Sequence, residues 1–148
     1  MREEKMFRKI LYPTDFSDRS KKALTYLTQL KDAGTEEVVI LHVVDTRNLH
    51  IPEIFSMMDL SLLGEKQADA AAKKADHIAG KLNDIGIKTI IRIEKGIPFK
   101  EILRVEKEER VSLIIIGSHG TSNVEEMLLG SVSEKVIRKS KAPVFVVK

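Results

Sequence analysis

The chain of 148 residues contains no cysteine, which excludes disulfide bonds, thiolate metal sites and thiol redox chemistry. Long hydrophobic runs are also missing, because the apolar segments fall far short of the roughly 20 residues that a membrane-spanning helix needs. No run of one charge is sustained, since 25 basic and 22 acidic residues are interleaved. The net charge of +3 therefore gives no nucleic-acid footprint, although it is compatible with a bound anion.

The composition that is present belongs to an ordinary globular protein, with 43% hydrophobic and 32% charged residues. The length suits one domain over residues 1–148 with a single core. Residues 1–9 mix acidic and basic side chains, and no apolar segment typical of a secretion signal follows them. We therefore expect a cytoplasmic protein without membrane contact.

Strand-like and helix-like segments alternate along the chain. Short apolar, β-branched runs predict strands over 8–12, 37–44, 87–93, 111–116 and 142–147. Apolar residues that recur every three or four positions predict helices after Ser17 or Asp18, over 65–85, after Pro98 and over 131–139. The segment 45–64 has no clean period, and we predict a long, partly helical connection there. The alternating order predicts a parallel sheet with helices on both faces.

In such a sheet, ligands bind beyond the carboxyl ends of the strands, at the point where the strand order reverses. One segment at this edge combines glycines with a helix start. Gly117 and Gly120 are three residues apart, nine residues follow, and Gly130 and Ser131 open a helix. Glycines let the backbone approach a ligand, and a helix start offers unpaired N–H groups and the positive end of a dipole. The segment predicts an anion site, and phosphate is its natural occupant.

Ordinary structural roles compete with phosphate binding in this segment. Gly117 could serve only to turn the chain, and the run from Ser131 to Glu134 has the spacing of a capping box. Neither a Walker P-loop nor the G-x-G-x-x-G fingerprint occurs. For His119, a contact with phosphate and a solvated loop position are both open. His42 is predicted to be a satisfied core residue, and the four histidines show no metal-ligand spacing.

Asp15 follows the first strand, where its carboxylate could accept hydrogen bonds from a ribose hydroxyl or an adenine amino group. The alternative is a carboxylate that caps the next helix. A response regulator would need several carboxylates that converge on a phosphorylatable aspartate, and a lysine beyond a later strand. Asp15, Asp18 and Asp45 match this arrangement only weakly.

Four segments together resemble the universal stress protein family over nearly the whole chain. They are Ile-Leu-Tyr-Pro-Thr-Asp-Phe-Ser at 10–17, the strand end Leu-His-Val at 41–43, Gly-Ile-Pro at 96–98, and the spacing Gly117-x-x-Gly120-x₉-Gly130-Ser131. That glycine spacing marks the family's ATP-binding branch and is complete here. The resemblance implies a Rossmann-like, adenine nucleotide alpha hydrolase-like fold with a five-stranded parallel sheet in the order 3-2-1-4-5. Strands one and four would then bring Asp15 and Gly117 together.

The resemblance also implies a ligand, ATP, with Mg²⁺ or Mn²⁺ accompanying its phosphates and no confident metal ligand among the protein side chains. The adenine would lie by Val43 and Asp15. The full set of expected contacts is Pro13, Thr14, Asp15, Val43 and Ile116 around the nucleoside, and Gly117, Gly120, Gly130, Ser131 and Val132 around the ribose and phosphates. His119 joins the set because of its place in the loop.

Three functions stay open at this point: a nucleotide-dependent regulator or sensor in the stress response, a slow Mg²⁺- or Mn²⁺-dependent ATPase completed by a partner, and an interaction protein. The interaction surface would be 49–63, whose methionines adapt to partners, and its alternative role is an apolar flap. No lysine or arginine lies between 117 and 131, which favours binding over turnover. The family commonly dimerises through its last strand, which implies a homodimer through 143–147 and would cover an apolar sheet edge.

Overall fold

The computed structural model describes residues 5–48, 57–118 and 129–148. Its strands are β1 (Lys9–Pro13), β2 (Glu37–Asp45), β3 (Lys88–Gly96), β4 (Leu113–Gly117) and β5 (Val144–Val147). Its helices are α1 (Asp18–Leu30), α2 (Met57–Asp84), α3 (Pro98–Glu109) and α4 (Ser131–Lys139), and a 3-10 turn over Thr46–Asn48 follows β2.

The five strands form one parallel sheet in the order β3-β2-β1-β4-β5. This result confirms the α/β fold and the strand order that the resemblance implied. β1 lies in the middle of the sheet. β2 and then β3 lie on one side of it, and β4 and then β5 lie on the other. The strand order therefore reverses at β1, which places the ligand-binding edge at the carboxyl ends of β1 and its neighbours.

Successive residues of the central strands face opposite helical layers. One core cluster combines alternate residues of β1 and β2 with α1 and α2, and its members include Ile10, Tyr12, Val38, Ile40, Leu27 and Leu82. The other combines the intervening residues with α3 and α4, and its members include Leu11, Val39, Leu41, Ile102, Val105 and Val136. β1 and β2 read as continuous apolar runs because both of their faces are covered.

The second helix is longer than the sequence predicted. α2 begins at Met57, so the partly helical character predicted for 45–64 is confirmed at 57–64, and the predicted helix start at 65 was wrong. The helical period is obscured because Leu62 and Leu63 are apolar and yet 54% and 42% exposed. Further along, Ala71, Ala75 and Leu82 are buried at helical spacing. The rest of the predicted interaction segment, 49–56, lies outside the described residues.

A helix must be both long and apolar to cross a bilayer. Among the residues that the structure describes, no helix is long and apolar enough to do so.

Candidate functional site

A cleft of about 380 Å³ opens at the carboxyl ends of β1, β2 and β4, between the first turns of α3 and α4. Its volume lies within the range of about 300–1,000 Å³ that is usual for small-molecule sites. Nine of the eleven predicted contact residues line it: Pro13, Thr14, Asp15, Val43, Ile116, Gly117, Gly130, Ser131 and Val132. The other two, His119 and Gly120, lie outside the described residues.

At one end of the cleft, β4 and the start of α4 are joined by direct hydrogen bonds. The Gly130 N–H donates to the carbonyl oxygen of Ser118 at 2.6 Å. The buried hydroxyl of Ser133 donates to the carbonyl oxygen of Gly117 at 2.7 Å. A Cβ atom on Gly117 would lie 3.4 Å from the backbone of Arg19 and Ser20, at van der Waals contact, so the start of α1 packs directly against this residue.

The capping-box alternative for Ser131 is wrong. The N-cap is Gly130, which is extended and makes no side-chain cap, and Ser131 is already the first residue of α4 with an exposed hydroxyl. Glu134 does not reach back to the helix start but pairs with Arg138 at 2.8 Å. The first turn of α4 therefore presents backbone N–H groups that no N-cap side chain satisfies, next to the hydroxyl of Ser131.

The other end of the cleft is apolar. Leu41, Val43, Pro98 and Ile102 form this wall, and Ile116 continues it toward β4. Sequence reasoning had named Val43, Ile116 and the turn that contains Pro98, but not Leu41 or Ile102. Both of the missed residues belong to the core cluster under α3 and α4, so their sequence pattern marks them only as buried.

Asp15 borders the apolar end and is exposed. Its Oδ1 atom accepts the N–H of Ser17 at 3.0 Å, which forms a turn just before α1. Ser17 is the N-cap, since its hydroxyl accepts the N–H of Ser20 at 3.3 Å. The alternative in which Asp15 caps the helix is therefore wrong, and its carboxylate stands at the cleft instead.

The ion pair between Asp45 and Arg47 lies at the rim of the cleft, beyond β2. The sequence did not predict that this pair lines the cleft. The Arg47 guanidinium donates from Nε to Asp45 Oδ1 at 3.0 Å and from Nη2 to Asp45 Oδ2 at 2.8 Å. Hydrogen bonds from Arg47 hold the pKa of Asp45 below its ordinary value. Both residues line the cleft. From β2 and the turn after it, the sequence analysis named only Val43 as a ligand contact.

The loop after β1 is held by a buried set of hydroxyl groups. Tyr12 donates from its hydroxyl to the carbonyl oxygen of Ser20 at 2.6 Å, and burial raises the pKa of this tyrosine. The Thr14 and Ser20 hydroxyls are hydrogen-bonded to each other. The Phe16 N–H donates to Thr14 Oγ1 at 3.0 Å. This set fixes the backbone next to the cleft.

His42 is hydrogen-bonded as predicted, but it is half-buried and not the core residue that the sequence predicted. Its Nδ1 atom lies 2.8 Å from the carbonyl oxygen of Thr14. A carbonyl can only accept, so Nδ1 carries the proton and donates. The contact follows from the sheet register, in which Pro13 pairs with Leu41 and the next residues on the two strands are adjacent.

Cleft and fold together define the class of protein: a doubly wound α/β domain whose ligand cleft lies at the switch point between two helix starts. The sequence model of the universal stress protein family matches residues 6–148, and the chain belongs to this family. The chain is 42% identical to universal stress protein MJ0577 of Methanocaldococcus jannaschii, over 97% of this chain and 96% of that protein. The solved structure of MJ0577 matches with a TM-score of 0.87 at 44% identity, covering 97% of this chain and 96% of that one.

Two more distant structures share the fold and were solved with adenine nucleotides. One is a universal stress protein in complex with cAMP, with a TM-score of 0.61 and 21% identity over 95% of this chain and 96% of that one. The other is a universal stress protein of Archaeoglobus fulgidus in complex with dAMP, with a TM-score of 0.63 and 18% identity over 97% and 99% of the two chains.

Proposed function

We propose that this protein binds ATP in the cleft and acts as a nucleotide-dependent regulator or sensor in the stress response. One observation carries the proposal: the cleft has an apolar end beside an exposed carboxylate and a polar end at the start of α4. β2 and β4 are separated by β1 alone, so the two ends lie on the order of 10 Å apart at the usual strand spacing. This separation is comparable to that between a nucleoside base and its phosphates.

At the apolar end, the adenine ring would pack against Leu41, Val43, Pro98 and Ile102. Asp15 would accept a hydrogen bond from the adenine amino group or from a ribose hydroxyl. Apolar walls with a few polar groups that fix orientation are the usual design of a small-molecule site. The cAMP and dAMP complexes of two family members support an adenine nucleotide as the ligand class.

At the polar end, the phosphates would accept hydrogen bonds from the first N–H groups of α4 and from the hydroxyl of Ser131. Gly117, Gly130 and Val132 would line the ribose and phosphates, with His119 and Gly120 as further proposed contacts. Mg²⁺ or Mn²⁺ would accompany the triphosphate. No cluster of three metal-ligating side chains occurs in the part of the chain that the structure describes, so the ion would take most of its ligands from phosphate oxygens and water.

ATP hydrolysis is the alternative function, and Arg47 bears on it. This cation lines the cleft, but it follows β2 at the apolar end and Asp45 neutralises it through two hydrogen bonds. Phosphoryl transfer needs a cation at the developing charge on the phosphates, so the arrangement supports binding rather than turnover.

A test of ATP fate separates the sensor from the enzyme. The purified protein is incubated with ATP and Mg²⁺, and free phosphate is followed over time. For a sensor, we expect mass spectrometry to find intact ATP bound to the protein. Sustained phosphate release that disappears in Gly130→Ala would instead establish the ATPase.

We further propose a homodimer through 143–147. β5 is an edge strand of the sheet, and Phe145 is 39% exposed beside Tyr26, with ring centroids 5.8 Å apart. Antiparallel pairing with the same strand of a second copy would satisfy this edge. Light scattering after size exclusion should give a dimer for the wild type and a monomer for Phe145→Glu. A wild-type monomer at micromolar concentration would contradict the proposal.

A further inference from the structure

Phe16 has a backbone conformation that is unusual for a bulky residue. Its φ angle is +62°, in the left-handed region that residues other than glycine rarely adopt. Phe16 directly follows Thr14 and Asp15, which line the cleft. Backbone strain of this kind persists only where the surroundings hold it, and it is concentrated at ligand sites.

The contacts that hold Phe16 come from β2 and α2. Its ring stacks on His42, with centroids 4.9 Å apart and an interplanar angle of 28°. The Lys74 ammonium lies 5.4 Å from the centroid of the same ring. His42 also donates from Nδ1 to the carbonyl oxygen of Thr14 at 2.8 Å. Two contacts from one side chain therefore fix both ends of the segment that carries Asp15.

His42 acts from the side of the sheet that faces away from the cleft. Phe16 packs against the core cluster under α1 and α2, whereas Val43 belongs to the cluster under α3 and α4 and lines the cleft. Adjacent residues of a strand point to opposite faces. Val43 thus forms part of the cleft wall, and His42, on the other face of the sheet, supports the loop that carries Asp15.

Asp15 is exposed, so its direction depends on the backbone of this loop. Its Oδ1 atom accepts the N–H of Ser17 at 3.0 Å, and Thr14 Oγ1 accepts the N–H of Phe16 at 3.0 Å. The bond from Ser17 to Asp15 spans Phe16 and therefore depends on the backbone angles of Phe16, whereas the bond from Phe16 to Thr14 holds the part of the loop that precedes them. If the stack on His42 were lost, this turn could open and Asp15 could swing into solvent.

We propose that His42 and Phe16 are positioning residues that set Asp15 toward the base and thereby make the cleft discriminate adenine from guanine. The inference rests on the proposed ATP binding. A carboxylate accepts a hydrogen bond from the 6-amino group of adenine, whereas the 6-oxo group of guanine presents an acceptor and is repelled. This discrimination requires a carboxylate that is held at the 6-position, because guanine also carries donors at N1 and at its 2-amino group, and a mobile Asp15 could turn to them.

The test measures the ratio of the GTP Kd to the ATP Kd in purified full-length variants. Both nucleotides meet the same fraction of folded protein, so the ratio is insensitive to a simple loss of stability. We expect the ratio to fall by about tenfold in His42→Leu and in Phe16→Gly, as is usual when preorganisation is lost. His42→Asn can donate at the position of Nδ1 and should retain more of the preference. The matched control His77→Leu changes an exposed histidine of α2 and should leave the ratio unchanged.

A second measurement needs no nucleotide. We expect hydrogen exchange at the Phe16 and Ser17 amides to be faster in His42→Leu than in the wild type and in His77→Leu. Unchanged exchange would overturn the positioning role. Faster exchange with an unchanged GTP to ATP ratio would overturn the specificity role. A wild type that binds neither nucleotide would refute the proposed function and the base discrimination, while faster exchange in His42→Leu would still support the contact that fixes the loop.

Discussion

Ser131 and Ser133 lie on one turn of α4, and we predict that their alanine variants lose different properties. Ser133 is 4% exposed, and its hydroxyl donates to the carbonyl oxygen of Gly117 at 2.7 Å. Ser133→Ala leaves that buried carbonyl without this donor, which costs about 1–3 kcal/mol of unfolding free energy. Each kcal/mol lowers the Tm of a domain of this size by about 2–4 °C. We therefore expect calorimetry to show a Tm lower by about 2–12 °C.

Ser131→Ala is the matched control, because the Ser131 hydroxyl is exposed at the first position of the helix. We expect its Tm to stay within about 1 °C of the wild type, as is usual for surface substitutions. Its affinity for ATP should fall by about tenfold or more, the cost of one hydrogen bond to a charged group. An unchanged Tm in Ser133→Ala, or an equal loss of Tm in both variants, would refute this division of roles.

Three further variants test other parts of the structure. Arg47→Met should change the affinities for ATP and adenosine by the same factor in calorimetric titrations, because Arg47 follows β2, away from the start of α4 where the phosphates would bind. A loss confined to ATP would contradict this placement. Glu106 is buried and accepts two backbone N–H groups ahead of β5 at 2.8 and 2.7 Å, so Glu106→Ala should lower the free energy of unfolding by about 2–4 kcal/mol in urea, unlike the exposed control Lys107→Ala. The Lys9 ammonium depresses the pKa of Glu37 from its ordinary 4.5, so this stabilisation is present above that pH and is lost as the pH falls through the depressed value. The Tm difference between the wild type and Glu37→Gln should therefore shrink from pH 7 to pH 3, and a constant difference would refute the linkage.

The sheet could be predicted from the sequence because its determinants are local. β1 and β2 are continuous apolar runs, as expected of strands that are covered on both faces. The glycine spacing and the residues after β1 predicted the parts of the cleft that lie on β1, β4 and the start of α4. The helical start of α2 was missed because exposed leucines interrupt its period, and exposure depends on what the rest of the chain covers.

The missed parts of the site depend on contacts between residues far apart in sequence. The run from Ser131 to Glu134 fits a capping box, but α4 begins at Ser131 with Gly130 as its N-cap. The hydroxyl of Ser133 reaches Gly117, 16 residues earlier. The support of Thr14 by His42 spans 28 residues and becomes visible only with the register of β1 against β2. Arg47 gives no sequence signal of its own, because its position at the cleft depends on the turn after β2 and on its pairing with Asp45.

Calorimetric titration of the nucleotide-free protein with ATP and Mg²⁺, and separately with tripolyphosphate and Mg²⁺, tests ATP binding in this cleft most directly. We expect one ATP bound per chain, with clearly weaker binding of tripolyphosphate because it lacks the base that would occupy the apolar end. Absence of ATP binding at millimolar concentration, or equal affinities for the two ligands, would contradict it.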